Sequence, residues 1–274
     1  MDDDLDADTA GALEDIAYLA RSQNRFRILD ALASESYTPR ELTEKSDIAR
    51  TTVGRIVNEF EKRGWVERAI EGEYTATPTG EQVVVEFTPL VDSMVAIRNL
   101  GETVAWLQAI EPTVDLHQLR DATVWKPESG DLMAPTMIYL NDLREATEFY
   151  CSVGIAPPVP FEKAMRDGVV ERQMRVDHVI SESEYSYLRG YPERMERWRE
   201  YINGGANVYR YDGDVQCNLF ILDETLYIAN SQSEYGEPYT VIQTDNEQVR
   251  SWAHEIIRTH KTSAERLDAE AFTE

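Results

Sequence analysis

The sequence predicts an α+β protein of two parts joined by a long helix, and three observations carry that expectation. Residues 24 to 76 read as three short amphipathic helices, a strand, a glycine-containing turn and a second strand. Residues 79 to 110 place apolar side chains at alternating spacings of four and three. From about Val114 onward, strand-like and helix-like segments alternate, as in a mixed layer fold.

Composition narrows the possible functions. The chain has 274 residues and is 42% apolar, enough for one or two ordinary cores. No apolar run approaches the roughly 18 residues of a membrane span, so no membrane partner is expected. The start, MDDDLDADTAGALED, is acidic where a signal peptide would be basic and then apolar, and it reads as a short disordered tail or leading helix over residues 1–20. Cys151 and Cys217 form no Cys-x-x-Cys, so neither a zinc site nor a disulfide framework is indicated, and a reducing cytoplasm fits. His117, His178, His254 and His260 lie too far apart to suggest a metal centre, and there is no Gly-x-Ser-x-Gly nucleophile pattern. No cofactor is expected.

Charge is uneven. The chain holds 27 basic and 51 acidic residues, net −24. Residues 21 to 70 hold 10 basic and 8 acidic residues, net +2, against an acidic remainder. A local break of that kind is the electrostatic footprint expected for DNA. Only 5 of the 27 basic residues are lysine. Spread acidity with scarce lysine resembles the proteins of salt-loving archaea. At molar salt the Debye length is roughly 3 Å, so specificity would lean on base contacts and shape.

The first part is justified element by element. Asn24 to Ala33 is a helix with Ile28, Leu29 and Leu32 inward. Thr38 and Pro39 suit a second helix start, and Glu41 completes a capping box. Ser46-Asp47-Ile48 is the turn. A third helix from about Ala49 to Arg63 buries Val53, Ile56, Val57 and Phe60. Its opposite face presents Arg50, Thr51, Thr52, Arg55 and Asn58, residue types suited to the major groove. Gly54 on that side would let the helix backbone approach DNA. Trp65 to Arg68, Glu71-Gly72-Glu73 and Tyr74 to Thr77 make a small strand–turn–strand wing with an acidic tip. This order is that of a winged helix-turn-helix. Thr38 and Arg68 complete its expected DNA-facing set. The stretch SDIARTTVGRIVNEFEKRGWVER resembles the recognition half of archaeal and bacterial winged-helix regulators. In that pattern a serine usually caps the reading helix. Ala49 stands there instead, so Asp47 is expected to serve as the cap.

Residues 79–112 form the connecting segment. Val83, Phe87, Leu90, Met94, Ile97, Gly101 and Val104 make a heptad seam, read as a dimer contact, with Pro89 expected to kink or restart the helix. Val84, Val91 and Val95 form a second apolar stripe. Glu111-Pro112 closes the segment.

In residues 113–274 the expected elements are a strand at Ala122 to Trp125, a helix at Leu140 to Cys151, a loop at Ile155 to Pro160 and a strand at Glu171 to Ile180. A helical stretch from Ser183 to Asn203, interrupted near Gly190 and Pro192, comes next. Four strands and a last helix from Val249 to Leu267 follow. The run from Arg194 onward resembles the effector domain of TrmB-type archaeal regulators, a relative of the phospholipase D fold. The whole layout resembles archaeal winged-helix proteins with a methanogenesis-regulator middle domain. Phospholipase D enzymes carry His-x-Lys-x4-Asp and then Gly-Ser-x-Asn. Aligned on Asp223, this chain has Gln216 and Asn218 at the His and Lys positions, and Asn230-Ser231-Gln232-Ser233 in the second block. The resemblance implies a pocket derived from a hydrolase that has lost its nucleophile. Gln216, Asn218, Asp223, Asn230 and Ser231 could line it, and Arg210, between Tyr209 and Tyr211, could hold an anionic group.

The expected protein is thus a winged helix-turn-helix at residues 21–78, a connecting helix, and a degenerate phospholipase D-like α/β effector domain. Its expected function is that of a cytoplasmic, homodimeric regulator binding double-stranded DNA, without catalysis, and sensing a small polar effector. The alternatives are a DNA-tethered phosphodiesterase and a protein-interaction module using its acidic surface.

Overall fold

The computed structural model describes residues 6–69, 72–107, 114–127, 134–230 and 240–273. The chain divides into two compact units, Met1–Val91 and Asp92–Glu274.

The first unit opens with α1 (Ala7–Ala20), in the stretch the sequence read as a tail or a leading helix. The Asp6 side chain caps it, accepting from the Thr9 amide at 2.7 Å. Then come α2 (Gln23–Ser34), α3 (Pro39–Ser46) and α4 (Arg50–Lys62). The capping box on α3 is complete: the Glu41 amide donates to Thr38 Oγ1, and Thr38 N donates to Glu41 Oε2 at 2.8 Å. The wing strands are β1 (Val66–Arg68) and β2 (Tyr74–Ala76), antiparallel with Glu67 opposite Thr75. Ile28, Leu29, Leu42, Val53, Val57 and Phe60 fill the core between the helices. Gly80 is needed for close packing, since a Cβ there would stand 1.9 Å from the Trp65 carbonyl oxygen.

Helix α5 (Pro78–Leu100) runs unbroken through Pro89, contrary to the expected restart. It ends at Leu100, where Gly101 turns at φ +56°, and a short α6 (Thr103–Leu107) follows. The glycine is the stronger breaker here, because its backbone takes a left-handed turn that ends the hydrogen-bond ladder. Residues 108–113, with Glu111 and Pro112, lie outside the described residues.

Among the described residues, the second unit is built on an eight-stranded sheet. Its strands are β3 (Thr123–Trp125), β4 (Glu148–Val153), β5 (Arg175–Ser181), β6 (Asn207–Tyr211), β7 (Cys217–Leu222), β8 (Thr225–Asn230), β9 (Val241–Thr244) and β10 (Glu265–Leu267). The order is β10-β6-β5-β4-β7-β8-β9-β3, with β4, β5 and β6 parallel and every other pairing antiparallel. One face carries α7 (Ala134–Leu143), α8 (Val159–Arg172), α9 (Glu182–Arg189) and α10 (Pro192–Asn203) around Phe149, Phe161, Trp198 and Phe220. The other packs α11 (Glu247–Ser263) through Val249, Ala253 and Ile257 on Leu219, Ile221 and Ile228.

Three local expectations are corrected. The helix read at Leu140 to Cys151 is the end of α7, a turn and β4. The strand read from Glu171 begins only at Arg175, because α8 occupies the preceding residues. The last helix stops at Ser263, and Glu265–Leu267 pairs with β6.

Candidate nucleic-acid interface and effector site

Helix α4 is amphipathic because Val53, Ile56, Val57 and Phe60 all face the core. Arg50, Thr51, Arg55 and Asn58 are left exposed, with Thr52 and Gly54 half-buried. Among the described residues, Arg50, Arg55 and Arg68 join no ion pair. Most guanidinium groups of the second unit are engaged: Arg120 with Asp92, Arg166 with Glu200, Arg194 and Arg197 with Glu162, Arg210 with Glu265. In a chain of net −24, unpaired arginines on one helix face mark a surface kept clear of the protein's own carboxylates.

The two helix starts of the reading motif differ. That of α3 is closed by its capping box, so its Thr38 hydroxyl is spent within the chain. That of α4 has Ala49 at the cap and no side-chain hydrogen bond. Asp47 does not take over. It sits at φ 56°, where it ends α3, and its amide donates to the Thr43 carbonyl. The short link to Arg50 therefore leaves the first amides of α4 open at a positively polarised helix end.

Gly54 has no neighbour within 4 Å of where a Cβ would stand. Nothing in the chain itself requires glycine at this helical position. In the wing, Glu67 and Arg68 are exposed, and the tip at residues 70–71 lies outside the described residues.

The expected dimer seam is split by the fold. Phe87 turns into the first unit's core and packs against Phe26 at 5.4 Å between ring centroids. Val83 and Val104 are half-buried. Leu90, Met94 and Ile97 remain 46%, 52% and 38% exposed, an apolar stripe at i, i+4, i+7. Leu13 and Ile16 on α1 are also exposed, a feature hidden in sequence by the acidic residues around them.

In the second unit the structure brings three of the expected pocket residues together and separates the others. The Asn218 side chain is fully buried at the carboxyl end of β4, where Oδ1 accepts from the Gly154 amide at 2.8 Å and Nδ2 donates to the Asn230 carbonyl at 3.1 Å. Asn230 Oδ1 accepts from the Thr240 amide, and Gln216 is exposed beside them. Asp223 lies at the far end of β7, in the β7–β8 turn at φ 48°. It accepts from the Thr147 hydroxyl at 2.8 Å and the Glu148 amide at 2.9 Å, tying the hairpin to β4. It lines a surface cleft of about 800 Å³ with Asp142, Glu145, Glu148 and Glu224, a strongly acidic setting. Arg210 is matched by Glu265 and Glu182 and lies over the Tyr185 ring. Ser231 lies outside the described residues.

Sequence reasoning missed the charged centre of this unit. Glu162 on α8 is buried and accepts from Arg194 at 2.7 Å, Arg197 at 2.8 Å and Trp198 at 3.2 Å, stapling α8 to α10. Nearby, Glu184 is 2% exposed and neither carboxylate oxygen has a partner among the described residues. Burial drives its pKa well above the usual carboxylate range, with Arg194 opposing and Glu162 reinforcing the shift. Burial alone pushes His178 down to about 3. On the opposite face Ser152 Oγ meets His260 Nδ1 at 2.8 Å, and burial lowers the His260 pKa. Among the described residues no cluster of three or more metal-type ligands forms. No helix there is long and apolar enough to cross a membrane.

Comparison with known proteins agrees with this two-part layout. Residues 13–99 match the HVO_A0261 N-terminal domain, and residues 132–263 match the middle domain of the methanogenesis regulatory protein FilR1. No curated protein matches the chain. Among solved structures it is similar to TrmBL2, an archaeal chromatin protein described as having a novel mode of DNA binding (16% identity, 93% of this chain and 99% of that chain, TM-score 0.43). It is also similar to Nuc, a phospholipase D family member from Salmonella typhimurium (13% identity, 54% and 99%, TM-score 0.43). A third similarity is to NucT from Helicobacter pylori (13% identity, 53% and 98%, TM-score 0.40). The chain is a winged-helix protein that joins an N-terminal domain of the HVO_A0261 type to a middle domain of the FilR1 type.

Proposed function

We propose that the protein is a sequence-specific transcriptional regulator that binds double-stranded DNA as a homodimer in the cytoplasm. The observation that carries this reading is the outer face of α4: Arg50 and Arg55 are exposed and, among the described residues, unpaired beside an uncapped helix start. Arg50 and Arg55 suit bidentate contacts to guanine, and Asn58 suits adenine. The open amides at Arg50 and Thr51 suit a phosphate. Gly54 gives room for a backbone approach.

Dimerisation is proposed through Leu90, Met94 and Ile97 of α5, which are too apolar and too exposed for an isolated surface helix. Two copies would present two α4 helices to two half-sites. The second unit acts as an effector domain rather than a hydrolase. Gln216 and Asn218 cannot supply a nucleophile, and Asn218 is committed to holding β4, β7 and β8 together. A small polar effector would enter at the carboxyl ends of β4 and β5, near Gln216 and Asn230, the usual ligand position in such sheets. Asp223 and Arg210 are left out of that site by their partners.

The test is selection by the purified chain from a random duplex library. A defined motif is expected, with Arg50→Ala and Arg55→Ala each weakening binding by about 1–3 kcal/mol. Enrichment of no motif, or equal binding by both variants, would contradict the reading.

A further inference from the structure

Two buried glutamates of the second unit are treated in opposite ways. Glu162 accepts from Arg194, Arg197 and the Trp198 indole. Glu184 is as deeply buried, yet neither of its oxygens has a partner among the described residues. Arg194 is close enough to oppose the effect of burial on its pKa, but that guanidinium is committed elsewhere. Its Nε donates to Glu162 at 2.7 Å and its Nη2 to the Pro157 carbonyl at 2.6 Å. Burying a carboxyl group without a donor is costly, and folded chains rarely keep such a group without a use.

Glu184 lies in the first turn of α9, which the Ser181 side chain caps at the end of β5. The return bond that Glu41 makes at the start of α3 is missing here, so the carboxyl group is not spent as a cap. Ser181 Oγ also donates to the Gly154 carbonyl at 3.4 Å, and the Gly154 amide donates to Asn218. Glu184 thus stands at the same edge of the sheet as Gln216 and Asn230. The surface around it is apolar. Tyr187, one turn further along α9, pairs its ring with that of Tyr191 at 4.9 Å, and both are exposed. Arg194 lies over the Tyr187 ring. Ile155 and Val159 flank the Pro157 carbonyl that Arg194 holds, and they are exposed as well. Four exposed apolar side chains therefore gather round one arginine, a helical turn from a carboxyl group that lacks a donor.

We propose that this is a binding site for a small primary amine with an aromatic or aliphatic body. The ammonium group donates to Glu184, and the body lies against Tyr187, Tyr191, Ile155 and Val159. Glu162 shows what a carboxylate in this core needs, which is cationic N–H donors, and an ammonium group supplies them. The tyrosine rings favour a cation over a neutral group. A chain of net −24 also concentrates cations at its surface. The ligand reaches the carboxyl group by parting the Pro157 turn from Arg194. The proposal names the class of effector and rests on the effector reading above; it does not depend on DNA binding.

The experiment titrates the full chain, without DNA, in a calorimeter. The probes are phenethylamine and 2-phenylethanol, which has the same body without the charge. The parent is expected to bind the amine about tenfold or more tightly than the alcohol. Glu184→Gln keeps the shape of the side chain and is expected to bring the two affinities together. Glu193→Gln, which removes an exposed charge at the start of α10, should leave amine binding unchanged. Tyr187→Ala should weaken both ligands. An alcohol bound as tightly as the amine, or an amine bound equally by Glu184→Gln and the parent, would overturn the amine site while keeping an effector site at this edge. No binding of either probe by the parent would overturn the site together with its apolar mouth. The comparison of the two probes on the parent alone decides the matter if Glu184→Gln does not fold.

Discussion

The Thr38 hydroxyl and the Glu41 carboxylate close the start of α3 on each other, 2.8 Å apart, while Ala49 leaves the start of α4 open. A carboxylate at a helix start satisfies the free amides and takes the place an incoming phosphate would take. Ala49→Asp should therefore separate stability from binding. The new cap is expected to stabilise the first unit by about 0.5–2 kcal/mol, because Ala49, at φ −54° and ψ 135°, already has the non-helical backbone of a cap position. DNA affinity is expected to fall. Thermal melting and a binding titration on the same preparation check this. A variant that is more stable and binds DNA as well as the parent would show that no phosphate sits at α4.

Gly54 offers the same kind of separation. Glycine costs roughly 1 kcal/mol against alanine in a helix interior, and the site has room for a methyl group. Gly54→Ala should raise the urea midpoint yet weaken DNA binding, since the added Cβ blocks close approach of the backbone. Stabilisation without loss of affinity would place Gly54 away from the DNA.

The exposed stripe on α5 predicts the oligomeric state. Replacing Leu90 and Met94 together by glutamate should convert a dimer to a monomer in sedimentation while leaving the circular dichroism spectrum unchanged, because neither residue belongs to a core. A wild-type chain that sediments as a monomer would contradict dimerisation at once.

Two buried groups set opposite pH limits on the second unit. The folded His178 pKa, about 3, lies below its ordinary 6.5, so the unfolded chain binds a proton that the folded chain refuses. Stability is therefore lost as pH falls from 6.5 toward 3, at up to about 1.4 kcal/mol per pH unit. Glu184 is raised above its ordinary 4.5, so the folded chain retains a proton that the unfolded chain releases. Its contribution is full below pH 4.5 and shrinks as pH rises above it. Glu184→Gln should gain on the parent progressively between pH 4.5 and 8 in denaturant midpoints. A constant offset across that range would mean Glu184 is already solvated or paired.

The winged helix was legible because its helices carry their own evidence in a few residues: the apolar stripes, the Thr38-Pro39 start with Glu41, and the Val53 to Phe60 spacing. The second unit was less so, for reasons of period and distance. Residues 148–153 are mostly buried on both faces, so their apolar run has no alternation to separate strand from helix. Helix α8 is packed on Phe161, Met165 and Val169 with Gly168 in its last turns, and it offers no clean polar face. Strand β10 looks like the tail of α11 until β6 is there to pair with it. In the reading helix the exposed face could be listed from spacing alone. That its arginines would stay unpaired could not, because pairing depends on carboxylates far away in sequence. For the same reason Glu162 and its two arginines, 32 and 35 residues apart along the chain, were invisible. Asp223 kept a familiar spacing but serves as a hairpin clamp.

The central claim is that α4 reads DNA. The most direct measurement is a map of chromatin occupancy in the cells that make the protein, comparing wild type with Arg50→Ala/Arg55→Ala at equal abundance. Discrete promoter peaks that vanish in the double variant are the predicted result. Peaks that persist unchanged in the variant, or diffuse signal from both proteins, would contradict it.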